Sequence, residues 1–233
     1  MRDVILMPTY NESANIVSML QTIFSLHPDI SIMVIDDNSP DGTAGLVRGL
    51  QSTYPNLTLL SRPAKDGLGR AYVHGFSEVL KFPDVGKIII MDADFSHDPE
   101  YLAHLLMASD EHDVAIGSRY IPSGSTVGWE PWRKSLSTAG NIYCRTILGL
   151  DIHDYTAGFV AMNAAKLREV DLGKLNVSGY AFQIALKYLL SRAGARFKEI
   201  PIEFKNRRGG ESKLTGHIIF EGIIIPWKIK FQT

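Results

Sequence analysis

The 233-residue sequence has one cysteine, Cys144, so an internal disulfide and a cysteine-rich metal site are both excluded. This fits a reducing compartment. No apolar run reaches the ~20 residues needed to span a bilayer. The most apolar tail, residues 217–231, is broken by Glu221, Pro226, Lys228 and Lys230. No secretory leader is expected, because the first apolar run, Val4-Ile5-Leu6-Met7, is short and leads straight into Pro8. His97, His104, His153 and His217 lack metal-ligand spacing and are read as structural. There is no internal repeat, no low-complexity segment and no linker that would mark two independent domains. Nucleic acid is disfavoured as a partner, because the basic residues lack interleaved aromatics and the net charge is −1.

What is present is enough apolar residue, 45% of the chain, for a large core, and residues 1–233 are read as one domain. The near-neutral charge hides a split. Residues 1–117 carry 7 Lys/Arg against 16 Asp/Glu, and residues 118–233 carry 17 against 9. The first half can host a cation; the second can receive anions or lie near an anionic surface. Two surfaces that merely attract each other would give the same split.

Short apolar runs alternate with helical spacing through the first half. Strands are expected at residues 3–7, 31–35, 57–60, 87–91 and 113–117, and helices at 42–53, 67–80 and 99–109. A further helix, carrying Ile16, Met19, Leu20, Ile23 and Phe24 and capped by Asn11, follows the first strand. The rhythm predicts an α/β fold, a mostly parallel sheet with helices on both faces. The second half is less regular. A loop at 123–132 precedes a helix at 133–148, a strand at 157–162 and an amphipathic helix at 180–193 with Phe182, Ala185, Leu186 and Leu189 on one face. A strand follows at 197–204, where Pro201 favours an edge or a bulge.

Ligands of parallel sheets bind beyond the carboxyl ends of the strands. The informative residues cluster there. The run Ile88-Ile89-Ile90-Met91 ends in Asp92-Ala93-Asp94, and a backbone turn would let both carboxylates converge on a hard divalent cation that holds a diphosphate. Asp98 before Pro99 reads as an ordinary N-cap. Asp36-Asp37 can accept hydrogen bonds from a base or ribose, with Ser39 or Asp41 capping the next helix. Gly67-Leu68-Gly69-Arg70-Ala71 fails as a dinucleotide fingerprint, because Tyr72 stands at the third glycine position; it reads as a tight turn close to a ligand. The loop from Arg207 to Lys213 offers arginine forks and a lysine point charge to phosphate oxygens, joined by Arg119 and Arg133.

Together with Pro8-Thr9-Tyr10-Asn11-Glu12, Gly117-Ser118-Arg119-Tyr120, Thr156-Ala157-Gly158-Phe159 and Gly179-Tyr180-Ala181-Phe182-Gln183, these motifs resemble the family 2 glycosyltransferases. Within that family they are most similar to the dolichol- or polyprenol-phosphate mannosyltransferases. The resemblance covers almost the whole chain and implies the Rossmann-like glycosyltransferase A fold, with residues 1–117 binding nucleotide and 118–233 binding acceptor. It implies that Pro8, Tyr10, Glu12, Ile35 and Asp37 hold guanosine. Asp92, Ala93 and Asp94 would meet ribose, diphosphate and metal. Asp94 would be the main ligand of Mg2+ or Mn2+, with Asp92 and the side chain at Ser96 assisting; some relatives have Gln at this last position. Arg119, Arg207 and Lys213 would bind phosphates, and Arg133 and Ser137 match the segment for the lipid phosphate.

The implied reaction moves mannose from GDP-mannose to a dolichyl or undecaprenyl phosphate in one inverting displacement, giving a β-linked product and GDP. The acceptor is already anionic and needs placement rather than a strong base. The expected location is the cytoplasmic face of a membrane, with residues 215–229 lying in the interface or packing on the core. Many relatives carry C-terminal membrane-spanning helices; a short form without them, a piece of a longer chain, and a separate membrane-anchoring subunit all stay open. The competing readings are a UDP-glucose-dependent transferase to the same lipid, a non-catalytic nucleotide-binding module and a receiver-like signalling domain. The last explains Asp36-Asp37 but neither the chain length nor the pairing of Asp94 with Arg207 and Lys213.

Overall fold

Strands β1 (Arg2–Thr9), β2 (Ser31–Asp36), β3 (Leu57–Ser61), β4 (Val85–Ile90) and β5 (Val114–Ser118) lie within a residue or two of where the apolar runs place them. The computed structural model describes residues 1–175, 179–206 and 216–231, without the side chains of Tyr180 and residues 216–222. With β7 at Val160–Asn163 and β8 at Phe197–Pro201, a seven-stranded sheet among the described residues runs in the order β3-β2-β1-β4-β7-β5-β8, so both halves of the chain build one sheet. All its strands are parallel except β7 (Val160–Asn163), which slots antiparallel between β4 and β5. The periodicity marks that strand but not its direction, which depends on how the preceding helix returns the chain.

Alternate residues of the central strands feed two cores. Leu6, Ile88, Ile90, Val160 and Met162 meet α3 (Leu68–Val79), α7 (Gly179–Arg192) and the end of α5 (Pro131–Leu148). Ile5, Val34, Ile89 and Ala161 meet α1 (Ile16–Leu26), α2 (Thr43–Leu50) and α4 (Leu102–Glu111). Each fully buried isoleucine or leucine contributes roughly 1.5–3 kcal/mol. Helix α3 lies so close to the sheet that a Cβ on Gly75 would stand 2.4 Å from Ile35 Cδ1.

Several expectations shift. Asn11 does not cap α1. It takes the left-handed region at φ 61 within a loop, and the helix starts at Ile16 behind Asn15, whose side chain makes no capping bond. That loop is held by its neighbour instead: Asn11 N–H donates to Ser39 Oγ (3.1 Å), Glu12 N–H to Thr43 Oγ1 (3.0 Å) and Ser13 N–H to Asp41 Oδ2 (2.9 Å). Helix α5 begins at Pro131, because proline at the first helical position loses no hydrogen bond. The loop at 123–132 holds β6 (Ser125–Val127), paired parallel with β9 (Glu203–Lys205). The strand predicted at 197–204 breaks at Ile202, which donates to Ser118 O and accepts from Ser125 N–H, leaving β8 (Phe197–Pro201) at the sheet edge. Helix α7 is buried on every side from Ala181 to Leu190 rather than on one face, because α3 and α8 (Gly216–Phe231) pack against it.

Candidate active site

The carboxyl ends of β1, β2, β4 and β5 open on a cavity of about 530 Å³. On one side Lys65 Nζ stands 3.9 Å above the Tyr10 ring. Asp36 is buried and turned inward, accepting from Thr9 Oγ1 (2.9 Å), Ser39 N–H (2.9 Å) and Ser39 Oγ (2.6 Å). Asp37 lines the cavity paired with Arg62, both nearly buried. Neither Ser39 nor Asp41 is the N-cap of α2, which is Gly42 in the left-handed region; Asp41, one residue earlier, still accepts from the first helical N–H, that of Thr43 (3.1 Å). Its slight burial pushes the carboxyl up, but hydrogen bonds from Thr43 and Ser13 hold it down at about 2.

Strand β4 stops at Ile90, and the next residues make the expected turn, with Phe95 at φ 62. Asp94, 5% exposed, accepts from both the N–H and the hydroxyl of Ser96. Asp92 is more open, and its N–H donates to His97 Nδ1 (3.0 Å). His97 therefore carries its ring proton on Nε2. Burial holds its pKa down at about 4, against the pull of the Asp94 carboxylate. Its ring stacks on Phe159 (5.1 Å), so it is a wall of the cavity as well as a packing residue. The Tyr72 hydroxyl is buried behind the two carboxylates without a hydrogen-bond partner among the described residues, and burial with those charges keeps it a neutral phenol. Asp98 caps the turn at Pro99 as predicted, accepting from Glu100 N–H (3.2 Å).

The opposite wall is basic and aromatic. Arg119 donates through Nε and Nη2 to the two oxygens of Asp154 (2.8 Å each) and through Nη2 to Thr156 Oγ1 (2.7 Å). The backbone N–H of Arg119 also donates to Asp154 (3.0 Å). Burial pushes the Asp154 carboxyl up, but the Arg119 charge and these hydrogen bonds hold it below the usual carboxylate range. The Arg119 guanidinium also lies 5.2 Å from the centre of the Phe204 ring and 5.4 Å from that of Trp129. Arg133 stacks 4.1 Å over Trp129. Arg133 Nε and Trp129 Nε1 are buried without hydrogen-bond partners among the described residues. Beneath this wall the enclosed Lys187 donates to the carbonyls of Tyr155 (3.0 Å) and Ala157 (2.8 Å).

Pro8, Tyr10, Glu12, Asp37, Asp92, Ala93, Asp94, Ser96, Arg119 and Arg133 thus line one cavity. Ile35 does not. Strand alternation turns its side chain into the core under Gly75, away from the site where a nucleoside contact was expected. Ser137 lies one turn beyond Arg133 on α5, outside the cavity lining. Arg207 and Lys213 lie outside the described residues. Arg62, Lys65, Asp154, Trp129, Phe204 and Gln183 were missed. Arg62 and Asp154 carried a signal, one just past the end of a predicted strand and the other two residues before Thr156. The polar positions 183 and 187 interrupt an otherwise apolar helix.

The donor set fits a hard divalent ion. Asp94 and Asp92 offer carboxylate oxygens and Ser96 a hydroxyl. Such ions commonly take one or two carboxylates and complete their shell with water and substrate phosphates. Among the described residues no group of three or more His, Cys, Asp or Glu could hold one alone.

Lys187 gives a pH signature. Burial lowers its pKa from the usual 10.5 to about 7, although Asp154 opposes the shift. Between about pH 7 and the unfolded value near 10.4 the unfolded chain binds more protons, so this residue's contribution to stability grows as pH rises through that window and is constant below it. Urea titrations of the wild type and Lys187→Met should diverge by a few kcal/mol, on the order of one per pKa unit, across that window. Parallel curves would show that Lys187 titrates normally.

The family described as Glycosyl transferase family 2 matches residues 4–171. An undecaprenyl-phosphate mannosyltransferase of Micrococcus luteus is 40% identical over 224 residues, covering 96% of this chain and 92% of that protein. A polyprenol monophosphomannose synthase of Mycolicibacterium smegmatis is 40% identical over 234 residues, covering 98% and 88%. The solved structure of the mannosyltransferase PcManGT from Pyrobaculum calidifontis, in complex with GDP-Man and Mn2+, superposes with a TM-score of 0.65 at 18% identity. The match covers 100% of this chain and 64% of that one, and it speaks for the fold alone.

Proposed function

The chain belongs to glycosyl transferase family 2, and from that premise we propose that it transfers mannose from GDP-mannose to a polyprenyl phosphate. It is a glycosyltransferase with the Rossmann-like glycosyltransferase A fold. One observation carries the finer reading. The carboxylates Asp92 and Asp94 and the guanidinium groups of Arg119 and Arg133 come from halves of opposite charge yet line the same cavity. The names of the relatives supply the sugar and the lipid class.

In this reading Tyr10, Glu12 and Asp37 hold the nucleoside, while Asp94, with Asp92 and Ser96, holds Mg2+ or Mn2+ beside the diphosphate. A bound cation there would neutralise charge on the leaving group. Arg133 stacks on Trp129 at the cavity wall and receives the acceptor phosphate, with Arg207 and Lys213 adding phosphate contacts. Arg119 reaches the cavity already paired with Asp154, so it serves as an oriented hydrogen-bond donor more than as a net charge. The acceptor phosphate is its own nucleophile, and a single in-line displacement inverts the sugar carbon.

The lipid must arrive from a membrane, and one surface suits this. Helix α5 exposes Trp132, Leu136 and Ile142, and α8 exposes Ile223, Ile224, Trp227 and Phe231. Tyr143 locks the two helices, donating to Ile223 O (2.9 Å) and accepting from Trp227 Nε1 (2.8 Å). Among the described residues no helix is long and apolar enough to cross a bilayer, so this face would lie in the interface on the cytoplasmic side, with Lys228 and Lys230 near the headgroups.

The test supplies radiolabelled GDP-mannose or UDP-glucose, polyprenyl phosphate and Mn2+, followed by organic extraction and by flotation of the protein on vesicles containing the lipid. Label from GDP-mannose alone should enter the organic phase, and the protein should float. Label from UDP-glucose would replace the donor, and GDP binding without lipid-borne label would leave a nucleotide-binding module.

A further inference from the structure

The floor of the cavity differs from its walls. Helix α7 brings Gln183 there, 3% exposed, and its Oε1 is buried with no hydrogen-bond partner among the described residues. A buried acceptor left without a donor is costly, and such atoms in a native site point to a ligand. Beside it stands Gly158. A Cβ at that position would lie 3.3 Å from His97 Cε1 and 3.7 Å from Gln183 Nε2, so glycine keeps a gap between imidazole and carboxamide. His97 accepts from the Asp92 N–H at Nδ1, so its ring proton sits on Nε2. Lys187, one turn further along α7, ties down the carbonyls on either side of Thr156, so the strip that carries Gly158 is fixed from below.

The floor is therefore uncharged and hydrogen-bonding, between carboxylates on one side and guanidinium groups on the other. A carboxamide oxygen repels phosphate oxygens and accepts from hydroxyl groups. In a sugar nucleotide the neutral, hydroxyl-rich portion next to the diphosphate is the hexose. We infer that Gln183 is a specificity-determining residue that accepts a hydrogen bond from one hydroxyl of the donor hexose, with Gly158 leaving room for the sugar ring. This rests on the proposed function for its use of a sugar-nucleotide donor, but not on which hexose is carried.

The test is a cycle between protein and substrate, using the full chain, GDP-mannose and its 2-, 3-, 4- and 6-deoxy analogues. For the wild type, one deoxy analogue should lose on the order of 10- to 100-fold in kcat/KM, or in calorimetric Kd where turnover is too slow, as expected when a buried acceptor loses its donor. Gln183→Met should lose a similar factor with GDP-mannose and become indifferent to that one deoxygenation. Gln183→Glu, which keeps an acceptor oxygen at the same reach, should retain the discrimination. Gln183→Asn, which withdraws the oxygen by one methylene, gives the same loss as Met should the Met variant not fold. Affinity for GDP alone should be unchanged throughout. Wild-type discrimination retained at every hydroxyl in the Met or Asn variant, or GDP affinity falling as far as that of GDP-mannose, overturns the assignment. If the wild type uses another sugar nucleotide, the same cycle on deoxy forms of that sugar decides the role of Gln183, and the donor identity fails separately.

Discussion

Asp94→Asn should lower turnover by about 10²- to 10³-fold while leaving the fold intact. The substitution is nearly isosteric, and an amide oxygen can still accept from the Ser96 N–H and hydroxyl, so the turn after β4 keeps its hydrogen bonds. What is lost is the negative charge at the least exposed carboxylate of the cavity lining, beside the proposed diphosphate position. Losing one well-placed electrostatic contact to a leaving group costs roughly 3–4 kcal/mol in the barrier, which is the stated factor. Melting curves should be superimposable, and Mn2+ should no longer tighten GDP binding in calorimetry. A folded Asp94→Asn variant with turnover within tenfold of the wild type would remove the metal from the proposed mechanism.

Arg119 and Asp154 make the second large prediction, and here stability and activity separate. The pair is buried, with side chains 5% and 0% exposed. Removing one partner of such a pair leaves an uncompensated charge and costs about 3–5 kcal/mol, whereas replacing both by apolar groups of similar volume is often nearly neutral. Arg119→Met alone should therefore be poorly folded, and its inactivity would say nothing about phosphate binding. The double variant Arg119→Met with Asp154→Leu should recover most of the lost stability in urea melts but not the transferase activity. Recovery of both would make Arg119 a packing residue only. Asp154→Asn is the finer probe. It keeps shape and one acceptor but leaves the buried Arg119 charge without its counter-charge, so it too should lose stability, by up to about 3–5 kcal/mol, and in the folded protein it should also shift KM for the phosphate acceptor.

Local signals were enough for most of the architecture. Short apolar runs ending in Pro8-Thr9-Tyr10, Asp36-Asp37, Asp92-Ala93-Asp94 and Gly117-Ser118-Arg119 located four strand ends, and these ends build the cavity. What was not legible depends on partners distant in sequence. Nothing near Asp37 announces that Arg62, 25 residues on, neutralises it. Nothing near Arg119 announces Asp154, 35 residues on. The antiparallel insertion of β7 and the break at Ile202 are set by packing of the second half, where the periodicity is weakest. Ile35 was assigned by resemblance, and the two-residue alternation of β2 sends its side chain to the core instead. His97 was read as filler because one histidine carries no spacing signal; its place emerges only when the turn after β4 folds back to the Asp92 N–H.

The three cross-links between the segments following β1 and β2 carry a wider consequence. Asn11, Glu12 and Ser13 are each fastened by backbone amide to a side chain from Ser39 to Thr43, so the two connections behave as a single rigid bracket. A bracket assembled in advance lowers the conformational entropy lost when a nucleoside arrives. In the proposed function, residues 39, 41 and 43, none of them among the cavity-lining residues, would thereby shape the nucleoside end of the cavity from outside it.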